Sequence, residues 1–239
     1  MPFYRKIFKT TINNFNTTNT TTGLVIPQTI KTVAANGDYF IGIDSAAQTY
    51  KISKTDLLAG LTQWGGSTTT SVDRTFVSNG DANGVLYYVG TGNGTRVWQN
   101  PHNSGLILTA SSVTKGSLPL LSDRAEGEFH TNDAAGSWVR INLGGARLKC
   151  NRYSIRNRNA DLHYLRNWKL QGSNDGTNWV DLDAQVNNTF LVTPSQWLSL
   201  PVTSNVEYSN FRLLITGVNS SNAYYICLGE LELYGLFTP

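Results

Sequence analysis

From about residue 73 onward, apolar and polar residues alternate in short runs separated by turn-forming residues, the period-two pattern of half-buried strands. Val139, Ile141 and Leu143 predict one face of a strand, with Arg140 and Asn142 on the other. Phe211, Leu213 and Ile215 alternate with Arg212 and Leu214, and Tyr225, Cys227, Leu231 and Leu233 alternate with Glu230 and Glu232. Leu148 and Cys150 share one parity while Tyr153 and Ile155 have the other, so a bulge is expected near Asn151 and Arg152. Residues 168–171 and 179–182 flank a Gly-Ser-Asn-Asp-Gly-Thr-Asn segment, which predicts a hairpin turning on Asp175 and Gly176. Further short strands are expected at 84–89, 95–98 and 105–109. About eight strands without a long helix predict an all-β chain whose main domain is a jelly-roll β-sandwich.

The first 65 residues read differently. Residues 10–22 are a Thr/Asn tract of low complexity, with too few apolar side chains to form a core. Strands are expected at 29–33, 39–43 and 49–52, with a turn at 35–38. A short helix at 56–61, capped by Ser53 or Thr55, is expected to stop near Gly60. So small a unit is marginal alone, and an arm of this kind needs a partner. The Gly-Gly-Ser-Thr-Thr-Thr-Ser run at 65–71 reads as a flexible linker. The expected organisation is therefore an arm and attachment or oligomerisation module at 1–65, a linker at 66–72 and the sandwich at 73–239.

Composition narrows the class. Charged residues make up 15% of the 239, against about 25% in an average soluble domain, and Thr, Asn and Ser take their place. Six Trp and an aromatic content of 11% argue against a disordered chain. No apolar run reaches the roughly 18 residues of a membrane-crossing helix, so membrane insertion is not expected. The basic start is followed by the polar tract at 10–22, where a signal peptide would need an apolar stretch. Cys150 and Cys227 allow one bridge or two buried free thiols, the second being preferred. A turn-rich exterior without an export signal fits a virion structural protein, made in the host cytoplasm and released by lysis.

Three stretches carry a family likeness: Ser137 to Gly144 (SWVRINLG), Leu165 to Trp179 (LRNWKLQGSNDGTNW), and Phe211 to Gly217 (FRLLITG) leading into Leu228 to Gly235 (LGELELYG). Together they resemble the discoidin, or coagulation factor type C, domain of the galactose-binding-like superfamily. Residues 84–89, 98–105 and 163–168 are similar to the discoidin-like domain of some BTB-domain adaptors and HECT ubiquitin ligases. The phrase from Gly37 to Asp44, with Thr49 to Ile52 and Leu57-Leu58, resembles N-terminal modules of phage tail and fibre proteins. The resemblance implies a sandwich with a binding role, and fold alone does not fix the ligand.

The search for chemistry yields no catalytic set. His102, His130 and His163 lack metal-ligand spacing, and no Gly-x-Ser-x-Gly elbow occurs; enzymatic activity is not expected. The glycine-rich run at 90–94 reads as a hairpin turn rather than a phosphate loop. No cofactor is expected, the one candidate being calcium on Asp73, Asp81, Asp123, Glu126 and Asp133. Eight of the 19 basic residues fall in 140–169 (Arg140, Arg147, Lys149, Arg152, Arg156, Arg158, Arg166 and Lys169), with Asp161 the only acid. This run reads either as a solvated strand face with packing arginines or as a patch for anionic surface sugars. Nucleic acid fits less well, because net charge is only +3 and aromatics are not interleaved. The candidate glycan site is Trp98, Asn100, His102, Arg156, Arg158, His163, Arg166 and Tyr224. The resulting expectation is a phage tail fibre or baseplate-attached protein whose head binds host surface polysaccharide. Its arm would join other tail or baseplate proteins, as a homotrimer by analogy with fibres. The alternatives are a structural or protein-interaction module of a virion without a sugar site, and a bacterial lectin or adhesin.

Overall fold

A computed structural model describes the strands Tyr39–Ile43 (β1) and Thr49–Ser53 (β2), residues 70–102 and residues 105–239. The chain divides into two compact units, Met1–Thr68 and Thr69–Pro239. In the first, β1 and β2 pair antiparallel, with Tyr39 opposite Ser53. The Thr/Asn tract at 10–22, the strand expected at 29–33 and the helix expected at 56–61 lie outside the described residues.

The second unit contains Val72–Arg74 (β3), Ile107–Ala110 (β4), Phe129–His130 (β5), Trp138–Asn142 (β6), Arg147–Arg156 (β7), Trp168–Ser173 (β8), Val180–Gln185 (β9), Trp197–Pro201 (β10), Asn210–Ile215 (β11), Cys227–Leu228 (β12) and Glu230–Thr238 (β13). They form a four-stranded sheet in the order β10-β7-β13-β3, a five-stranded sheet in the order β4-β6-β11-β8-β9 and a β12-β5 ribbon. The unit is thus the all-β jelly-roll sandwich expected from the alternation. Val139, Ile141, Leu170, Phe211 and Leu213 of one sheet and Leu148, Tyr153, Ile155, Leu231 and Leu233 of the other are buried in one cluster. Each such side chain contributes about 1.5–3 kcal/mol on burial.

The parity change in β7 is resolved as expected. Tyr234 pairs with Arg152 and Gly235 with Cys150, which leaves Asn151 as the extra residue of a bulge. The Asp175–Gly176 turn also forms: Asp175 accepts the amides of Thr177 and Asn178 at 2.8 and 2.7 Å, and Gly176 has φ +70°. Both cysteines are buried and free.

One polar chain crosses the core. The Trp168 indole N–H donates to Tyr153 Oη at 2.8 Å, and that hydroxyl donates to Asp183 at 2.7 Å. Trp168 and Tyr153 are fully buried, so each link satisfies a group that would otherwise be orphaned. Tyr153→Phe is expected to lower the unfolding free energy by about 1–3 kcal/mol, read from urea titration, because it strands the indole donor.

Two expectations are corrected. Residues 84–89 are not a strand: Val85–Gly90 is a helix (α1), and 95–98 is irregular. Valine and tyrosine favour strands locally, but the buried positions Val85, Leu86 and Val89 fall at helical spacing. The helix has no local side-chain cap; Glu232 of β13 accepts the amides of Leu86 and Tyr87 instead, at 2.7 and 3.1 Å. The glycine-rich run at 90–94 then ends this helix rather than turning a hairpin, with positive φ at Gly92, Asn93 and Gly94. The second correction concerns β13, where Glu230 and Glu232 are as buried as their neighbours Leu231 and Leu233. Arg124 explains this, bonding Glu230 at 2.8 Å and the carbonyl of Gly80 at 2.9 Å.

Candidate functional site

One end of the sandwich gathers Glu128, His130, Arg158, His163 and Tyr225. The β5–β12 ribbon fixes the first part, since His130 pairs with Cys227 and Tyr225 lies two residues before that partner. The loop after β7 supplies the rest. Asn157 anchors its start, donating to the Thr193 carbonyl at 2.7 Å. Leu162 and His163 both have left-handed backbones, φ +72° and +60°, a conformation that costs non-glycine residues energy and persists only where surrounding contacts enforce it. Here the Ser221 and Ser220 hydroxyls enforce it, accepting the amides of His163 and Tyr164 at 3.0 Å each.

The His163 ring meets both other rings edge to face. His163 and Tyr225 have centroids 5.1 Å apart, and His130 lies 6.4 Å from each. His130 Nε2 is 3.1 Å from Glu128 Oε2 and 3.1 Å from Arg158 Nη1. One ring nitrogen can donate to the first or accept from the second, so a ligand that binds the ring's other nitrogen would select between them. Arg158 is oriented by the Glu128 carboxylate at 3.1 Å and the Ala160 carbonyl at 3.1 Å. His163 Nδ1 is buried without a hydrogen-bond partner.

Burial favours the neutral form of both imidazoles. Burial lowers the His130 pKa and outweighs its Glu128 contact, with Arg158 and Lys115 adding to the effect. Burial and then the Arg158 charge lower that of His163. Burial alone would raise Glu128, but its bonds to Lys115 and His130 hold it below the usual range. The result is two imidazoles and an aromatic edge beside a paired guanidinium and carboxylate, a mix of donors and acceptors that suits hydroxyl groups on a partly apolar ring.

Of the eight residues picked from the sequence, Arg158 and His163 belong to this cluster, and Tyr224 adjoins it through its amide, which donates to Asp133 at 2.6 Å. The others are placed elsewhere. Trp98 stacks on Tyr87, centroids 6.3 Å apart. Asn100 binds the Pro119 carbonyl at 2.9 Å, and His102 Nδ1 accepts the Leu108 amide at 3.1 Å; these three hold the segment between α1 and β4. Arg156 is buried between Glu126 and Glu230, and Arg166 ties down the carbonyls of Leu165, Asn188 and Leu191. The basic run at 140–169 therefore does not form one patch. Glu128, His130 and Tyr225 were absent from the sequence-derived set; the parity of Tyr225 beside Cys227 was the available signal. Of the five acids considered for calcium, Asp73 lies on β3 opposite Leu236, and the other four have partners of their own. Asp81 caps its own turn, Asp123 accepts the Ala125 amide, Glu126 binds Arg156 and Ser195, and Asp133 binds Tyr224. Among the described residues no three metal-ligating side chains gather.

No protein-family profile matches the chain. In sequence it is 32% identical over 177 residues to a BTB/POZ domain-containing protein of Arabidopsis thaliana, a match that covers 68% of this chain and 22% of that one. It is 33% identical over 168 residues to the E3 ubiquitin-protein ligase Ufd4 of Drosophila melanogaster, covering 65% of this chain and 6% of the ligase. The chain thus spans less than a quarter of either relative. Among solved structures it is similar to a CBM32 domain of Clostridium perfringens in complex with GalNAc-beta-1,3-galactose. That likeness has a TM-score of 0.47 and 16% identity, covering 55% of this chain and 96% of that one.

Proposed function

We propose that the sandwich is a glycan-binding domain, not an enzyme, and that its site is the His130–Arg158–His163–Tyr225 cluster. The observation that supports this best is the convergence, at one loop-built end, of two imidazoles, a tyrosine edge and an oriented arginine, with His163 Nδ1 unpartnered. In this reading Arg158 and the imidazoles bond sugar hydroxyls while Tyr225 packs on the ring face. The full chain is to be screened on an array of neutral galactosides and anionic polysaccharides, with hits measured by calorimetry. His163→Ala is expected to weaken binding at least tenfold, about 1.4 kcal/mol, with the thermal midpoint retained. Unchanged affinity in that variant would move the site elsewhere, and an array without hits would remove the function.

The finer reading is a virion receptor-binding protein, with residues 1–65 as the attachment module, 66–72 as linker and 73–239 as the head. It rests on the sequence resemblance of Gly37 to Asp44, Thr49 to Ile52 and Leu57-Leu58 to N-terminal modules of phage tail and fibre proteins. Several heads displayed together would raise weak sugar contacts through effective concentration. Light scattering that finds a trimer in solution, and adsorption assays in which the chain competes with phage, would support this; a strict monomer that never competes would refute it. A protein-interaction role is the second reading, favoured by the 32–33% identity to a BTB/POZ domain-containing protein and a ubiquitin ligase.

A further inference from the structure

The outer face of the five-stranded sheet carries a second constellation, separate from the glycan cluster. Arg140 of β6 stands directly opposite Arg212 of β11, and Leu214 stands opposite both Trp138 and Lys169. Their inward neighbours Val139, Leu213 and Leu170 are buried, so these residues share the outward face. Like charges placed directly across a strand pair repel. Carboxylates ordinarily relieve such a pair, yet among the described residues neither arginine has one within salt-bridge distance.

Neutral oxygens hold the two guanidinia instead. Asn210 Oδ1 accepts from Arg140 Nε and Nη2 at 3.2 and 2.7 Å. Gln171 Oε1 accepts from Arg212 Nε at 2.6 Å. Both cations lie over the Trp179 ring, at 5.8 and 4.3 Å from its centroid. The nearby Asp181 is engaged by Lys169 and Gln171 at 2.6 Å each. Asp181 acts on Arg212 only through space, so neither arginine has a carboxylate in contact, and among the described residues the Nη atoms of Arg212 have no hydrogen-bond partner.

We infer that this face is a docking surface for an acidic polypeptide segment of another protein. An outward sheet face offers little of the concavity that small ligands need, whereas Trp and Arg are the side chains that dominate protein interfaces. Pre-oriented guanidinia match carboxylates in a two-pronged geometry. The chain's own N-terminal segment does not supply the complement: residues 1–69 hold six Lys or Arg against three Asp and no Glu.

The test titrates the full chain with a random Glu/Tyr copolymer at low and moderate salt, with heparin in a parallel titration and sedimentation for self-association. The expected result is binding of the copolymer that weakens with salt, and a tenfold or greater loss in the R140Q/R212Q double variant at an unchanged thermal midpoint. Should the double variant fail to fold, Arg212→Gln alone is expected to lose at least threefold. No binding by the wild type, equal binding by the folded variants, binding of heparin alone, or self-association through this face would each overturn the inference.

Discussion

Replacing Glu232 with alanine is expected to lower the unfolding free energy by about 3–5 kcal/mol, the usual consequence of breaking a buried charged network. Glu232 is 1% exposed, and its carboxylate receives the amides of Leu86, Tyr87 and Leu233. Alanine would strand these donors and take from Arg124 one of the two carboxylates it faces, leaving that of Glu230. Burial pushes the Glu232 pKa up to about 7 from an ordinary 4.5, against the pull of its amide donors and Arg124. The native state therefore keeps this proton to a higher pH than the unfolded chain does. The stability linked to it is fully present below pH 4.5 and is lost as pH rises through 7, by about 3 kcal/mol. Burial raises Glu230 in the same direction. The lowered histidines act oppositely, since His130 and His163 favour the native state above pH 6.5. Urea titrations of wild type and Glu232→Gln between pH 5 and 8 separate the two effects. The wild type is expected to lose about 2.5 kcal/mol relative to the variant across that range, and parallel profiles would show that Glu232 does not titrate there.

Gly235→Ala is expected to destabilise the sandwich by about 3 kcal/mol or more, from two sources that add. Its φ of +138° is a conformation that residues with a Cβ rarely adopt, with a strain of about 1–3 kcal/mol. A Cβ there would also lie 2.1 Å from the Lys149 carbonyl oxygen and 3.0 Å from the Asn151 amide. Both neighbours are backbone of the bulged strand, which cannot step aside as a side chain can. Thermal unfolding of the variant measures this, and a midpoint within a degree of wild type would mean the bulge re-forms without cost. Gly84 makes the contrasting case. A Cβ there would meet Glu232 Cδ at 2.0 Å, so the glycine admits the carboxylate that caps α1.

The site was only half legible in the sequence, and the reason is visible in particular residues. Arg158 and His163 sit in a loop whose strand boundaries the alternation located, so proximity followed from the fold. Trp98, Asn100 and His102 looked equivalent to them, being aromatic or polar and close to loops. The stacking of Trp98 on Tyr87 and the bonds of Asn100 and His102 to Pro119 and Leu108 turned them to structural use. Nothing in residue type distinguishes an imidazole that accepts a backbone amide from one left unpartnered.

What the sequence determined by itself was the sandwich. Period-two alternation, the parity change at Asn151 and the Asp175–Gly176 turn are local signals, and a one-residue error in any of them would expose a whole core face. What only the tertiary structure decided were the features set by distant partners. A helix stands at 85–90 because Glu232, 146 positions away from Leu86, accepts its first amides. Two glutamates lie buried in β13 because Arg124 reaches them, and two arginines from different strands share one tryptophan. Alternation records which face a residue takes, whereas charge and hydrogen bonding depend on which residue waits there.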